Sequence, residues 1–242
     1  MEWADDAFVL GARPFGEGKA VLEVFARAHG RAAGLVYSGR KSGAAVQAGN
    51  LVRVAWRART ADQLGAFSTL DLLDPIAAKA MSDSAALAAM SCVIAMVRAV
   101  LQEREPYPDL FEAMAIVFSH LAEPELWPIL YTRFELGLLA ALGYGLDLSA
   151  CALTGETEDL AFVSPRSGRA ASAQAGAPFA DKLLRLSPYL ARADQPVASG
   201  DVADAFALCG FFLENRVFNA RGQGLPDARR RLIEALGHAH RL

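Results

Sequence analysis

No Asp or Glu occurs between Ala26 and Arg59, yet this stretch holds seven Lys or Arg residues in a 242-residue chain whose formal net charge is -3. Cysteine is also scarce. Cys92, Cys151 and Cys209 are odd in number and widely spaced, which excludes a disulfide framework and points to a reducing cytosol. Long apolar runs are missing too: the most apolar window, residues 85–101, spans 17 residues and includes Arg98. That is too short and too interrupted to span a membrane, so a buried helix is expected there. The start, "MEWADDAF", is acidic and has no basic segment ahead of an apolar one, so no secretory signal is expected and the chain is read as cytoplasmic. The four histidines show no HExxH or Cys-paired spacing, and no Gly-x-Ser-x-Gly elbow occurs. "GARPFGEGKA" (11–20) imitates a phosphate-binding loop but lacks the Gly-Lys-Ser/Thr ending, and reads instead as a hairpin turn from which Lys19 reaches outward. No enzyme, cofactor or metal is expected.

What is present changes character near residue 70. Up to Ser68 the apolar residues come in short runs, "AFVLGAR", "AVLEVFAR", "GLVYSG" and "NLVRVAWRAR", separated by Gly- and Pro-bearing turns. Four or five strands at this spacing predict a small β-barrel or sandwich. From Asp74 the period is helical. Pro75 suits a first turn, and "PDLFE" offers Asp109 as N-cap with Glu112 three residues on. "ELWPILYTRFELGLLAALG" lines Leu126, Ile129, Leu130, Phe134, Leu138 and Leu142 along one face and ends at Gly143, a C′ glycine. The expected fold is α+β, with a barrel over 1–70 and a mainly helical domain over 71–242.

Charge divides at the same place. Residues 1–68 hold nine basic and six acidic side chains, net +3, and the remainder is net -6. Side chains alternate along a strand, so Arg53, Arg57 and Arg59 share a face. If Arg27, Arg31, Arg40 and Lys41 converge there, the barrel presents a positive strip without competing carboxylates, the footprint of a phosphate backbone. The plainer alternative is a solvated strand face in an Arg-rich chain. A small barrel with a basic face is typical of the OB-fold, which tracks single strands by charge and stacks bases on rings. Phe25, Tyr37 and Trp56 are the candidate rings, each read first as core.

At this point the residues resemble a known family. The module from "AFVLGARPFGEGKA" to "GRKS" is similar to the opening of bacterial RecO, the recombination and repair mediator, through Arg13–Glu17, Phe25–Gly30 and Gly39–Ser42. "FELGLLAALGYGLDLSACALTG" (134–155) is similar to a later RecO segment, in the right order and at the right separation. The resemblance implies an OB-fold barrel that binds single- and double-stranded DNA and anneals complementary strands. With RecR, such proteins help load RecA onto DNA coated by SSB, whose acidic tail they contact. No covalent chemistry is implied.

One departure is instructive. Many RecO proteins carry a four-cysteine zinc ribbon, but here the knuckle positions read Cys151, Thr154, Ser172 and Ala175. One soft ligand of four cannot hold structural zinc. The degenerate, zinc-less hairpin (about 150–178) is therefore expected to be held by packing through Leu160, Phe162 and Val163, with Cys151 a buried remnant. For the acidic SSB tail, the segment after Phe211 offers Arg216, Phe218 and Arg229 in an apolar, Arg-rich setting. A packed C-terminal helix with solvated arginines explains that segment equally. Two other classes stay open: an OB module in RNA metabolism, since the 2′-hydroxyl contacts that discriminate are invisible in cations, and a protein–protein adaptor whose cations meet acidic partners.

Overall fold

A computed structural model describes residues 1–37, 43–60 and 63–242. Five strands, β1 (Glu2–Pro14), β2 (Lys19–Ala26), β3 (Gly30–Tyr37), β4 (Leu51–Arg57) and β5 (Gly65–Asp74), close a barrel in the order β1-β2-β3-β5-β4. Neighbours are antiparallel except β3 and β5, which pair in parallel at Gly34 and Leu35. This is the five-stranded OB arrangement. The alternation seen in "LVRVAWR" maps onto it directly: Val52, Val54 and Trp56 are buried in the barrel, and Arg53 and Arg57 face out. β5 was absent from the four quoted runs and extends to Asp74, with shifts of register against β4 at Leu51/Val52 and Ala55/Trp56.

Where a strand is apolar at every position, both faces are covered. Ala7 and Val9 of β1 belong to the barrel core, and Leu22 and Val24 of β2 join them. Phe8 is also buried, its ring 4.8 Å from Phe111 and 5.3 Å from Phe118. Phe25 meets Phe111 at 5.7 Å. Each such fully buried side chain contributes roughly 1.5–3 kcal/mol. Phe111 and Phe118 lie on α3 (Pro108–Ser119), which follows α1 (Ile76–Ala80) and α2 (Ser84–Val100). Asp83 caps α2 by accepting from the Ala85 amide at 2.8 Å. Pro75 precedes α1 as its N-cap. α3 departs from expectation, since Pro108 is already helical and Asp109 sits in the first turn. A proline at N1 leaves no amide to be capped there, and Glu112 is engaged elsewhere.

The chain forms two compact units, residues 1–123 with 228–232, and residues 124–227 with 233–242. In the second, α4 (Trp127–Ala141) is followed by Gly143 at φ 84°, as the sequence predicts. Tyr131 Oη donates to buried Glu135 Oε1 at 3.0 Å, and Thr132 Oγ1 lies 2.9 Å from Tyr189 Oη, so these buried polar side chains pair with one another. A three-stranded sheet of β6 (Leu160–Val163), β7 (Ala170–Ser172) and β8 (Leu184–Arg185), ordered β7-β6-β8, forms the expected hairpin region. The short helices α5 (Ala173–Gly176) and α6 (Pro188–Ala191) flank β8 in sequence. The segment read as one C-terminal helix is divided instead. α7 (Asp201–Phe212) passes into a π-helical stretch, Leu213–Phe218, and α8 (Asp227–His238) starts only after Gly222, Gly224 and Pro226. Among the described residues no helix is long and apolar enough to cross a membrane.

Candidate nucleic-acid interface

The absence of acids in the sequence from Ala26 to Arg59 does not produce an acid-free surface, because the neighbouring strands and helices supply carboxylates. Arg27 pairs with Glu112 of α3, and its guanidinium lies 4.7 Å from the centre of the Phe111 ring. Arg31 donates from Nε and Nη2 to Glu23 Oε1, at 3.1 and 2.6 Å, and from Nη1 to the Leu101 carbonyl at 2.7 Å. Arg98 of α2 takes the other oxygen of Glu23 at 2.9 Å. Arg53 donates to Asp6 Oδ1 at 2.5 Å, and that contact holds its guanidinium still more firmly protonated. Asp71 is its register partner on β5, and Glu2 is opposite Arg57 on β1. The expected strip free of carboxylates is thereby corrected: β1, β2, β5 and α3 return the acids that the stretch itself omits.

Of the eight cations expected at DNA, Lys19, Arg57 and Arg59 are exposed and form no ion pair among the described residues. Arg40 and Lys41 lie outside the described residues. Lys19 stands at the start of β2, directly opposite Tyr37 at the end of β3, with Nζ 5.5 Å from the tyrosine ring centre. The β1–β2 turn brings Phe15 to the same place, its amide donating to the Lys19 carbonyl at 2.9 Å. Gly16 and Gly18, at φ 65° and 63°, provide the left-handed backbone that this reversal needs. Tyr37 is 75% exposed and Phe15 50%. Arg13 is exposed on the last turn-proximal residues of β1, while Glu17 is the acid within the turn. Phe25 and Trp56 are core, as read from the sequence, but Tyr37 is not.

This end of the barrel thus brings two exposed rings together with two exposed cations that form no ion pair among the described residues. Such a combination suits a strand of nucleic acid, whose bases offer π-faces and whose phosphates offer charge. Sequence reasoning passed over Phe15 and used Arg13 only as a motif residue. The available signal was their position: both flank a two-glycine turn between the first two strands of an OB barrel, a loop that borders the binding face of that fold.

Two of the three residues expected to receive an acidic peptide are not at the surface. Phe218 is 1% exposed and Arg229 is 5% exposed, so both are core residues, and burial is the physical reason they cannot serve as an open contact. Arg229 and Arg216 belong to different compact units. Arg216 is partly exposed, lies 4.6 Å from the Phe212 ring centre and donates to the Arg166 carbonyl at 3.1 Å.

In the hairpin, the former knuckle positions offer one thiol, two hydroxyls and a methyl group, a donor set that does not fit zinc. Ser172 caps α5 instead, its hydroxyl accepting from the Ala175 amide at 3.5 Å. Val163 is fully buried and Leu160 nearly so, while the Phe162 ring lies over Gly176, where any Cβ would collide with it. Packing therefore holds this region. Burial pushes the Cys151 thiol up, but the Thr154 hydroxyl and the amides of Ser172, Leu153 and Thr154 outweigh it and bring the thiol down to about 6.

Two family models match the chain. Recombination protein O N terminal covers residues 1–76, and Recombination protein O C terminal covers residues 81–223. The chain is 45% identical to the DNA repair protein RecO of Phenylobacterium zucineum over 247 residues, covering 100% of each. It is 46% identical to that of Methylorubrum extorquens over 246 residues and 42% identical to that of Hyphomonas neptunium over 239 residues, covering 98% of each chain in both cases. With matches to both halves in sequence order and an OB-like barrel at the front, the chain belongs to the RecO family of DNA repair proteins.

Proposed function

We propose that the protein is a recombination mediator that binds single-stranded DNA on its barrel, anneals complementary strands, and acts with RecR to help load RecA onto SSB-coated DNA. The observation that carries this reading is the exposed cluster at the β1–β2 turn of an OB barrel, where Lys19 lies over the exposed Tyr37 ring and exposed Arg13 and Phe15 flank the turn in the chain. Annealing requires two strands held on one surface without sequence preference, which phosphate and stacking contacts provide and base-edge contacts do not. Double-stranded DNA would engage the cations alone, because its bases are already stacked. The reading calls for no covalent step, so the protein acts as a binder and not as an enzyme. In the helical unit, Arg216 is the cation we assign to the acidic tail of SSB. The setting for all of this is the cytoplasm.

The test is a fluorescence-anisotropy titration with single-stranded DNA at several salt concentrations, repeated with RNA of the same sequence. Release of counterions gives a logarithmic slope of about -0.7 per phosphate contact on a single strand. Tight, salt-steep binding of DNA together with faster annealing supports the reading. Preference for RNA moves the protein to RNA metabolism, and absence of binding to either leaves an adaptor of proteins.

A further inference from the structure

A second feature of the first compact unit stands apart from the β1–β2 turn. At the start of β1, Trp3 stacks on His29 with ring centres 4.4 Å apart and planes within 8°. Trp3 also stacks on Trp56 at 5.5 Å and 19°. Beside these rings is a cleft of about 280 Å³, floored by Ala32 and closed from the loop after α2 by Arg104 and Pro106. The volume falls just below the range typical of drug-sized ligands, so one ring system with its attached sugar suits it better than a larger molecule.

The construction of the cleft is specific. His29 is fixed by Asp5, whose Oδ2 lies 3.0 Å from Nδ1 and also accepts the Ala28 amide at 2.7 Å. Trp56 is anchored by its indole N–H, which donates to the Ala33 carbonyl at 3.0 Å. Gly30, at φ 64°, lets the loop approach so closely that any Cβ there would overlap the Glu105 carbonyl. Arg104 is held in the left-handed region at φ 62°, a conformation a non-glycine residue adopts at a cost and which clusters at ligand clamps. Its guanidinium lies 5.7 Å from the Trp56 ring centre and donates to the Gln63 carbonyl at 3.3 Å. Among the described residues no carboxylate lines the cleft, and Arg104 brings a permanent positive charge to it. From Trp56 the chain leads to Arg57 and Arg59, which are exposed and form no ion pair among the described residues.

We infer that this cleft takes one unstacked nucleobase of a single strand, held against the indole and imidazole rings with Arg104 over it, while Arg57 and Arg59 follow the adjoining phosphates. The inference rests on the nucleic-acid reading above and adds a base-binding position to it. A π-rich slot suits a planar heteroaromatic ring, and a rim that carries Arg104 and, among the described residues, no carboxylate suits an occupant attached to phosphates. An acidic loop would repel such a strand, but Glu103 and Glu105 do not line the cleft.

The experiment uses the full chain, oligothymidylate, and an abasic strand of equal length. Trp56 and Trp127 are 3% and 0% exposed, so the partly exposed Trp3 dominates any quenching of tryptophan emission by a bound base. Oligothymidylate should quench and the abasic strand should not. Trp3→Leu should lose the quench and bind oligothymidylate about 5- to 150-fold more weakly, the range expected for one base–aromatic stack. Its affinity for the abasic strand should not change. Trp3→Phe should recover most of the affinity, and Arg104→Ala, which removes an exposed side chain, should weaken only the base-bearing strand. Native affinity in both Trp3→Leu and Arg104→Ala, or equal losses for both strands, overturns the inference while leaving DNA binding intact. If Trp3→Leu does not fold, Arg104→Ala and the quenching contrast decide. A parent protein that binds neither strand overturns the nucleic-acid reading and this inference together, and quenching by an aromatic-tipped peptide in place of DNA assigns the cleft to a protein partner and overturns it.

Discussion

Lys19 and Arg13 are exposed at the β1–β2 turn, Lys19 with the Tyr37 ring beside it, whereas Arg27, Arg31 and Arg53 end on carboxylates. Both groups come from one barrel and from the same basic half of the sequence. The difference lies in what the sheet places next to each. β1 pairs with β4 so that Asp6 meets Arg53, although 47 positions separate them in the chain. Glu23 occupies an outward position on β2, between Arg31 of β3 and Arg98 of α2. The turn carries one acid of its own, Glu17, which forms no ion pair with Arg13 or Lys19 among the described residues. A cation's availability to phosphate is therefore a property of sheet register and not of local composition.

The largest expected effect breaks the open group. Arg13→Glu with Lys19→Glu should lower affinity for single-stranded DNA on the order of 100-fold at low salt and flatten the salt slope by about 1.4, two contacts at roughly 0.7 each. Thermal stability should hardly move, because neither side chain packs into the core. Unchanged binding in a titration of this double mutant would remove the turn from the interface.

The paired group should behave in the opposite way. Arg31 and Glu23 are only 15% and 18% exposed at the side chain, and Arg31 also satisfies the Leu101 carbonyl. Arg31→Ala should cost about 1–3 kcal/mol, the range for leaving buried hydrogen-bonding groups unsatisfied. Urea denaturation measures this directly. DNA affinity of the folded fraction should remain within about twofold on the principle that a paired cation releases few counterions. A stable variant with weak binding would reverse the two groups.

This contrast also shows what the sequence made legible. The barrel was readable because a strand with one face in the core alternates, as Val52, Arg53, Val54, Ala55, Trp56 do. α4 and its terminal Gly143 were readable from a 3.6-residue period and a glycine at the stop. β5 was harder: its register shifts spoil the alternation, and Leu72 and Leu73 face solvent. Aromatic strand residues generally pack inward, which suggests a core position for Tyr37, but it is the last residue of β3 and is exposed. An arginine-rich local segment suggests surface positions for Phe218 and Arg229, whereas both are buried. The pairings of Arg27, Arg31 and Arg53 are equally invisible in the local sequence.

Cys151 sharpens the comparison from another side, as a charge favoured by hydrogen bonds alone and not by a cation. Its thiol falls from 9.0 to about 6 through the Thr154 hydroxyl and three amides, against the opposing effect of burial. The unfolded chain keeps the proton over that interval, so this group makes the folded state more stable as pH rises from about 6 towards 9, and the contribution is lost as pH falls through 6. Ultraviolet absorbance of the thiolate should titrate near 6, and Cys151→Ser should abolish both that signal and its share of the stability slope. Chelator should change neither. A midpoint above 8 would mean that burial prevails over the hydrogen bonds.

The smallest effect belongs to Arg53, and it tests the middle of the range. Its side chain is 56% exposed, in contrast to Arg31, yet it is bound to Asp6 at 2.5 Å, in contrast to Lys19. An exposed ion pair contributes about 0–1 kcal/mol, because water screens the attraction and ordering two side chains opposes it. Arg53→Ala should therefore shift the unfolding midpoint by little more than measurement error. For binding, Asp6 matters more than Arg53 itself. The pair presents nearly zero net charge to a phosphate, so removing Arg53 alone leaves a bare carboxylate on that face and should weaken DNA about twofold through repulsion. Removing both, in Asp6→Ala with Arg53→Ala, should restore the parent affinity and salt slope. That double-mutant cycle separates the two accounts of the acid-free stretch. If Arg53 contacts phosphate directly, the double mutant stays weak and its salt slope falls by about 0.7. If the pair is only a neutral patch of barrel surface, the double mutant and the parent coincide.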